Sequence, residues 1–372
     1  MAEITPLTMP NWGLSMTEGT IVAWLRGENE AVEKGAEIAE IETTKLTGVY
    51  EAHEAGTLRR IVATKGATRK VGELIGVMAG DAVTDADIEA FIAGYSSPDA
   101  IEGREGGDTG TIASQTVTID GLSVHVTSAG DGDKLPVILL HGFGGNTENW
   151  ALVQPTLASD RRVVAIDLPG HGRSGKAIAD GSFTGMAKLV GDVIDALGIE
   201  RFHLFGHSYG GGIALALAGV RPDAIASLVL VAPAGMGSPV NRSFVDAYRS
   251  ADDRRTVKAA LELLFKDPAL ASRQLVADVL KQQRIDGVRG ALDTIAAAMF
   301  AAEDSSQSPT IARPADTLVV WGSEDAVVAP LASERLPDAV TLTVLDSTGH
   351  MPHVEASSAF TQIANDFIQS RD

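Results

Sequence analysis

RFHLFGHSYGGGIALALAGV, residues 201–220, decides the fold of most of the chain. The apolar run Phe202–Phe205 reads as a short buried strand. The alternating small and large apolar residues after Gly212 read as a packed helix. Between them stands Gly206-His207-Ser208-Tyr209-Gly210. A strand that turns this abruptly into a helix needs small flanking residues, and it projects the central serine at its apex. The five-residue pattern is short enough to arise by chance, so its context must carry the reading. The plain alternative is a glycine-rich turn with a capping serine.

The context extends in both directions. Apolar runs PVILL (136–140), RVVAID (162–167), SLVLVA (227–232), DTLVVWG (316–322) and VTLTVLD (340–346) are separated by helical patterns such as MAKLVGDVIDALG (186–198). Alternation of this kind implies a largely parallel sheet covered by helices. TVTIDGLSVHVTSAG (116–130) reads as a hairpin turning at Asp120-Gly121. Residues 236–312 break the alternation. They are helix-like, in RTVKAALELLF and VRGALDTIAAAMF, and read as a cap inserted over the carboxyl edge of the sheet.

A serine hydroxyl is a weak nucleophile at neutral pH and needs a base, which in turn needs an orienting group. Asp325 follows the strand DTLVVWG, and His350 follows VTLTVLD in STGHMPH. Both fall in loops at the edge where Ser208 stands, in the chain order Ser, Asp, His expected of this architecture. His353 competes with His350, and Glu324 and Asp346 compete with Asp325. His171 and His207 read as hydrogen-bonding groups at turns. A tetrahedral intermediate also needs amide donors for its oxygen. The residue after the nucleophile, Tyr209, supplies one. HGFGG (141–145), directly after PVILL, supplies the other at Phe143. DLPGHGRS (167–174) shapes another loop at the same edge. With HGFGG, DLPGHGRS, GHSYGG, the Asp325 loop and Gly349-His350 in order, residues 115–372 resemble the α/β-hydrolase family.

Residues 1–79 have a different texture, with short strands broken by glycines: GTIVAWL, EIAEIE, GVYEA, GTLRRIV and LIGVMA. Gly19-Thr20-Ile21 and Gly56-Thr57-Leu58 are 37 residues apart, and so are Gly35 and Gly72, so one half-sandwich is built twice. Lys45, in EIETTKLTG (40–48), falls near the midpoint at an exposed turn. On MPNWGLSMTEGTIVAWL, KGAEIAEIETTK, GTLRRIV and VGELIGVM, this region resembles lipoyl (biotinyl-like) carrier domains. The resemblance implies lipoate in amide linkage on Lys45. The family pattern Glu-Thr-Asp-Lys is here Glu42-Thr43-Thr44-Lys45. Residues 80–114 read as a linker containing a short amphipathic helix capped by Thr84, followed by a Gly-, Ser- and Asp-rich stretch.

The fold class expected is therefore multidomain: an all-β lipoyl-type sandwich, a flexible linker, and an α/β-hydrolase fold with a helical cap. Together the parts resemble the acetyltransferase components of acetoin dehydrogenase complexes. That resemblance implies transfer of an acetyl group from a lipoyl arm on Lys45 to coenzyme A through Ser208, His350 and Asp325. It also implies a thiamine-diphosphate-dependent dehydrogenase component and dihydrolipoamide dehydrogenase as partners, within a homo-oligomeric assembly. Two other readings stand beside it: a thioesterase or ester hydrolase that carries a lipoyl domain, and a non-catalytic lipoate scaffold.

Bulk composition narrows the field. The net charge of −19 opposes a nucleic-acid partner. The absence of cysteine excludes disulfides, a cysteine nucleophile and thiolate metal sites, and the scattered histidines suggest no metal site. No basic, apolar leader opens the sequence and no apolar run is long enough to span a bilayer, so a cytoplasmic, membrane-free protein is expected.

Overall fold

The structure is a computed structural model and describes residues 4–10, 18–33, 36–42, 47–52, 55–80, 83–95, 112–303, 311 and 316–372. The chain divides into two compact units, Met1–Gly107 and Asp108–Asp372.

The first unit holds two four-stranded antiparallel sheets. One runs in the order Ile4–Thr8, Leu74–Ala79, Gly56–Ile61, Glu30–Val32. The other runs Thr47–Glu51, Glu37–Glu42, Glu18–Trp24, Thr68–Lys70. The repeat explains this pairing of orders. Advancing Glu18–Trp24 and Glu37–Glu42 by 37 residues lands on Gly56–Ile61 and Leu74–Ala79, which hold the equivalent places in the other sheet. Leu7, Ile21, Ile38, Ile41, Leu58 and Ile75 form the core, each at most 2% exposed. Glu42 pairs with Thr47 across antiparallel strands. Lys45 falls between these two positions and lies outside the described residues.

The helix in the expected linker runs Asp85–Gly94, and Thr84 and Asp87 form a reciprocal capping box. It is not free linker. Ile88 is fully buried and packs with Leu74, Val77 and Ala79. Arg59 and Arg60 reach Asp85 and Glu89 at 2.9 Å each. Phe91 and Ile92 pack beside Ile88 in the same cluster, so the helix is attached through its apolar side chains. The division of the units at 107/108 thus falls inside the stretch expected as linker, whose residues 96–111 lie outside the described ones.

The second unit is a seven-stranded sheet flanked by helices. The hairpin turns at Asp120 and Gly121, both with positive φ (49° and 82°), as a two-residue type I′ turn requires. Its second strand does not stop there. It continues as one bent strand, Leu122–Leu140, and so absorbs PVILL, which the sequence presents as separate. The bend passes Gly130, where a Cβ would lie 2.3 Å from the Arg161 carbonyl oxygen. The end of this strand runs parallel between Arg161–Ile166 and Phe202–His207. Ile225–Val231, Thr317–Gly322 and Thr341–Leu345 follow in parallel.

Period-two alternation sends Ile138, Leu140, Val164 and Ile166 to one face, under the helices Phe183–Ala196 and Tyr209–Val220. Val137, Leu139, Val163 and Ala165 go to the other, against Trp150, Phe360 and Ile368. Each fully buried Val, Leu or Ile among them contributes roughly 1.5–3 kcal/mol of transfer free energy. Among the described residues the connection from Val231 to Thr317 carries four α-helices, Arg242–Ser250, Arg254–Glu262, Arg273–Gln283 and Val288–Glu303, at the place of the expected cap.

Candidate active site

Ser208 sits between the strand Phe202–His207 and the twelve-residue helix Tyr209–Val220, with φ 51° and ψ −115°. This conformation costs a non-glycine residue about 1–3 kcal/mol and persists only where its surroundings fix it. They do so here. The Ser208 amide donates to the Val231 carbonyl at 2.9 Å, and the Ser208 carbonyl accepts from Gly211 and Ala234 at 2.9 and 3.0 Å. The glycines make room. A Cβ on Gly206 would lie 2.4 Å from the Gly210 oxygen, and one on Gly210 would lie 2.5 Å from the carbonyl oxygens of Leu140 and His141.

His350 and Asp325 meet as the sequence order anticipates. Nδ1 of His350 lies 2.8 Å from Oδ2 of Asp325, and both side chains are buried. The other oxygen, Oδ1, accepts from the Val327 and Val328 amides at 2.8 Å each. Trp321 Nε1 donates to Oδ2 at 3.2 Å and to the Val328 carbonyl at 2.7 Å. A carboxylate held this way aims one lone pair at the imidazole, which leaves Nε2 of His350 for proton transfer.

His350 is fastened on every side. Its amide donates to the Leu264 carbonyl at 2.9 Å, and its carbonyl accepts from His207 Nε2 at 2.9 Å. Glu355 Oε1 accepts from Gly349 and Met351, the residues on either side, while Oε2 accepts from the Lys266 amide at 2.7 Å. Lys266 also pairs with Glu324, beside Asp325. His207 thus links the Ser208 turn to His350, with the two ring centroids 4.8 Å apart. His353 is buried against Trp150, at 4.5 Å, and its ring nitrogens have no partner among the described residues. Burial pushes His353 down to about 3, and pushes His141, His171 and His207 below the usual histidine range. They stand as neutral packing and hydrogen-bonding groups.

The two amides expected to serve the oxyanion flank Ser208. Tyr209 opens its helix, where an unpaired N–H and the helix dipole both favour negative charge. Phe143 follows Gly142, whose Cβ would lie 3.1 Å from Cβ of Ser208. Neither N–H donates a hydrogen bond within the described residues. The Phe143 loop is held open from both ends. His141 Nδ1–H donates to the Gly142 carbonyl at 2.8 Å while its Nε2 accepts from Leu168 at 2.9 Å. Tyr248 of the cap donates its hydroxyl to the Gly144 carbonyl at 2.8 Å. DLPGHGRS closes around Asp167, which accepts from the amides of Thr147 and Arg173 at 2.7 Å each.

Sheet, strand-to-helix turn at Ser208 and buried Asp–His pair define a protein of the α/β-hydrolase fold, and a family model described by that name matches residues 136–357. A second model, for biotin-requiring enzymes, matches residues 5–78. The chain belongs to the family of dihydrolipoyllysine-residue acetyltransferase components of acetoin cleaving systems. It is 39% identical to that component of Cupriavidus necator, over 97% of this chain and 96% of the relative. It is 37% identical to the one of Pseudomonas putida, over 97% and 98%. Among solved structures, a meta-cleavage product hydrolase of Pseudomonas fluorescens superposes with a TM-score of 0.63 at 24% identity. It covers 69% of this chain and 98% of its own, and shows the fold.

Proposed function

We propose that this chain transfers an acetyl group between a lipoyl arm and coenzyme A, with Ser208 as nucleophile, His350 as base and Asp325 as its orienting carboxylate. The observation that carries the reading is the buried 2.8 Å His350–Asp325 contact beside the strained Ser208 turn, on the same chain as a lipoyl-type unit. Lys45 is the lipoyl attachment point. The pairing of Glu42 with Thr47 fits this, because Lys45 lies in the four-residue connection between the two strands. The lipoyl group, when present on Lys45, supplies a dithiol that carries the acetyl group as a thioester.

Ser208 Oγ attacks the thioester carbonyl carbon as His350 Nε2 takes its proton. Asp325 stabilises the imidazolium, and the amides of Phe143 and Tyr209 hold the oxyanion. The Oγ–C bond forms, the C–S bond breaks, and His350 returns the proton to the departing sulfur. The thiol of coenzyme A then gives its proton to His350 and takes the acetyl group from Ser208, which recovers the proton. The cap over the site favours thiol over water by excluding water.

The relatives are named as components of an acetoin cleaving system, so this chain works with other components. We assign these as a thiamine-diphosphate-dependent dehydrogenase, which loads the arm, and dihydrolipoamide dehydrogenase, which reoxidises it, around a cytoplasmic homo-oligomer of this chain. Among the described residues no helix is long and apolar enough to cross a membrane.

The test supplies acetyl-CoA and dihydrolipoamide and quantifies S-acetyldihydrolipoamide and acetate. Acetyl transfer that disappears in Ser208→Ala supports the reading. Acetate as sole product makes the protein a hydrolase. Transfer undiminished in Ser208→Ala makes the route a direct one between thiols.

A further inference from the structure

Residues 142–145 form a tight turn. The Gly145 amide donates to the Gly142 carbonyl at 3.0 Å, with Phe143 and Gly144 as the central residues. Gly144 has a φ of 73°, and Phe143 is not among the residues with positive φ. A positive φ at the second central position alone marks a type II turn. One cap side chain lies directly on this turn. Tyr248, in the helix Arg242–Ser250, is buried. Its hydroxyl donates to the Gly144 carbonyl at 2.8 Å, and its ring stands edge-on to that of Phe143 with centroids 5.8 Å apart. A Cβ on Gly144 would lie 2.4 Å from the Tyr248 ring. Glycine is thus required here twice, by the turn and by the tyrosine. Gln283, at the end of the helix Arg273–Gln283, donates to the Tyr248 carbonyl at 2.6 Å and ties two cap helices together at this residue.

Peptide geometry carries the contact further. A trans peptide is planar, with its C=O and N–H pointing in opposite directions. The Gly144 carbonyl and the Gly145 N–H share one plane, so a hydroxyl that fixes the first also aims the second. That N–H donates to the Gly142 carbonyl, which shares its plane with the Phe143 N–H. His141 Nδ1–H adds a second donor to the same Gly142 oxygen at 2.8 Å. The Phe143 N–H, at the end of the series, donates to nothing within the described residues. Hydrogen bonds in series polarise one another, so the last donor is strengthened as well as aimed.

We infer that Tyr248 is a positioning residue for acyl transfer, which sets the Phe143 N–H toward the oxyanion through two peptide planes of the 142–145 turn. The inference rests on the reading of Phe143 as an oxyanion donor in the reaction above. Tyr248 acts through the turn and not on the reacting atoms. Both the acylation and the deacylation of Ser208 pass through an oxyanion, and the ground state contains none. The effect therefore falls on kcat and leaves KM in place.

The experiment compares Tyr248→Phe with the unaltered full chain. Two reactions are followed: acetyl transfer from acetyl-CoA to dihydrolipoamide, and hydrolysis of p-nitrophenyl acetate, which needs only Ser208 and its oxyanion site. A misaimed donor predicts a fall in kcat of roughly three- to ten-fold in both, below the hundred-fold or so expected for complete loss of one oxyanion donor. KM holds. Inhibition by a trifluoromethyl ketone, whose adduct with Ser208 carries an oxyanion, weakens by the same factor as kcat. Val276→Ala is the control for cap packing, since Val276 is buried in the helix Arg273–Gln283 and makes none of the turn's hydrogen bonds. It lowers the melting temperature and leaves kcat and inhibition unchanged. Gln283→Leu, which loosens Tyr248 without removing the hydroxyl, gives the same pattern at smaller size and serves if Tyr248→Phe folds poorly. Unchanged kcat and inhibition in Tyr248→Phe overturn the inference. So does a loss confined to KM, or one that Val276→Ala matches. Ester hydrolysis that shows the pattern, with no transfer in any variant, rejects the acetyl-transfer reading and keeps this inference. Transfer that is present but indifferent to Tyr248→Phe rejects this inference alone.

Discussion

Replacing Asp325 by asparagine keeps the size of the side chain and changes one atom from acceptor to donor. The Asp325 carboxylate accepts four hydrogen bonds, from Val327, Val328, Trp321 and His350. The two loop amides at 2.8 Å hold the amide oxygen of asparagine at the Oδ1 position, so its NH₂ turns toward Nδ1 of His350. His350 then adopts the other tautomer, with the lone pair on Nδ1 and the proton on Nε2, and no longer accepts the serine proton. Loss of the correct tautomer and of the buried countercharge raises the barrier by about 4–5 kcal/mol, a fall in kcat of roughly a thousand- to ten-thousand-fold. Stability falls far less, by about 1–2 kcal/mol, because Trp321 keeps its bond to the Val328 carbonyl. The assay is acetyl transfer from acetyl-CoA to dihydrolipoamide, with thermal melts beside it. Glu324→Gln is the control, because Glu324 only pairs with Lys266 near the surface and such a pair is worth little. The reasoning is refuted if Asp325→Asn keeps more than about a tenth of kcat, or if Glu324→Gln falls as far.

Three more outcomes are expected. Gly210→Ala places a Cβ 2.5 Å from two backbone carbonyl oxygens; it lowers stability by about 3 kcal/mol or more in a denaturant titration, since backbone must shift. Lys45→Arg carries no lipoyl mass by intact mass spectrometry, yet retains acetyl transfer to free dihydrolipoamide. Burial pushes the Asp372 carboxyl up, but hydrogen bonds from Arg161 and His203 outweigh this and hold it below the usual carboxylate range. Its stabilisation is therefore complete above the unfolded carboxyl value of about 3.9 and is lost as pH falls through the lower folded value. Asp372→Asn lowers stability at neutral pH by about 1–2 kcal/mol, because the fully buried Arg161 loses a charged partner but keeps its pair with Asp160, and it flattens the acid limb of the stability profile.

The strand-to-helix turn at Ser208 was legible in the sequence because its glycines are dictated locally. The strand, the serine and the helix are neighbours in the chain, and each flanking Cβ would collide with backbone. Asp325 and His350 were legible by order, since each follows a strand whose end lies at one sheet edge. Trp321 was read only as the end of a strand, and its indole reaches Asp325 through a loop that returns on itself. Tyr248, Gln282 and Gln283 sit in cap helices whose polar positions look like any solvent-facing side. What they face depends on how the cap is laid over the Phe143 loop, which no local pattern records. The bent strand Leu122–Leu140 was divided in two for a similar reason. Gly130 and Gly132 interrupt the apolar pattern between its two halves, and they admit the close approach of a neighbouring strand.

The fastenings of His350 bear on how this protein can be rebuilt. Leu264 and Lys266 belong to the cap, yet they hold the His350 amide and share Glu355 with the residues on either side of it. A Cβ on Gly349 would lie 2.7 Å from the Lys266 nitrogen. The cap is therefore not an exchangeable module. A chimera that imports another protein's cap to change acyl preference brings a foreign chain trace to the place where the base is anchored. It keeps its activity only if the donor segment offers a carbonyl and an amide at the places of Leu264 and Lys266.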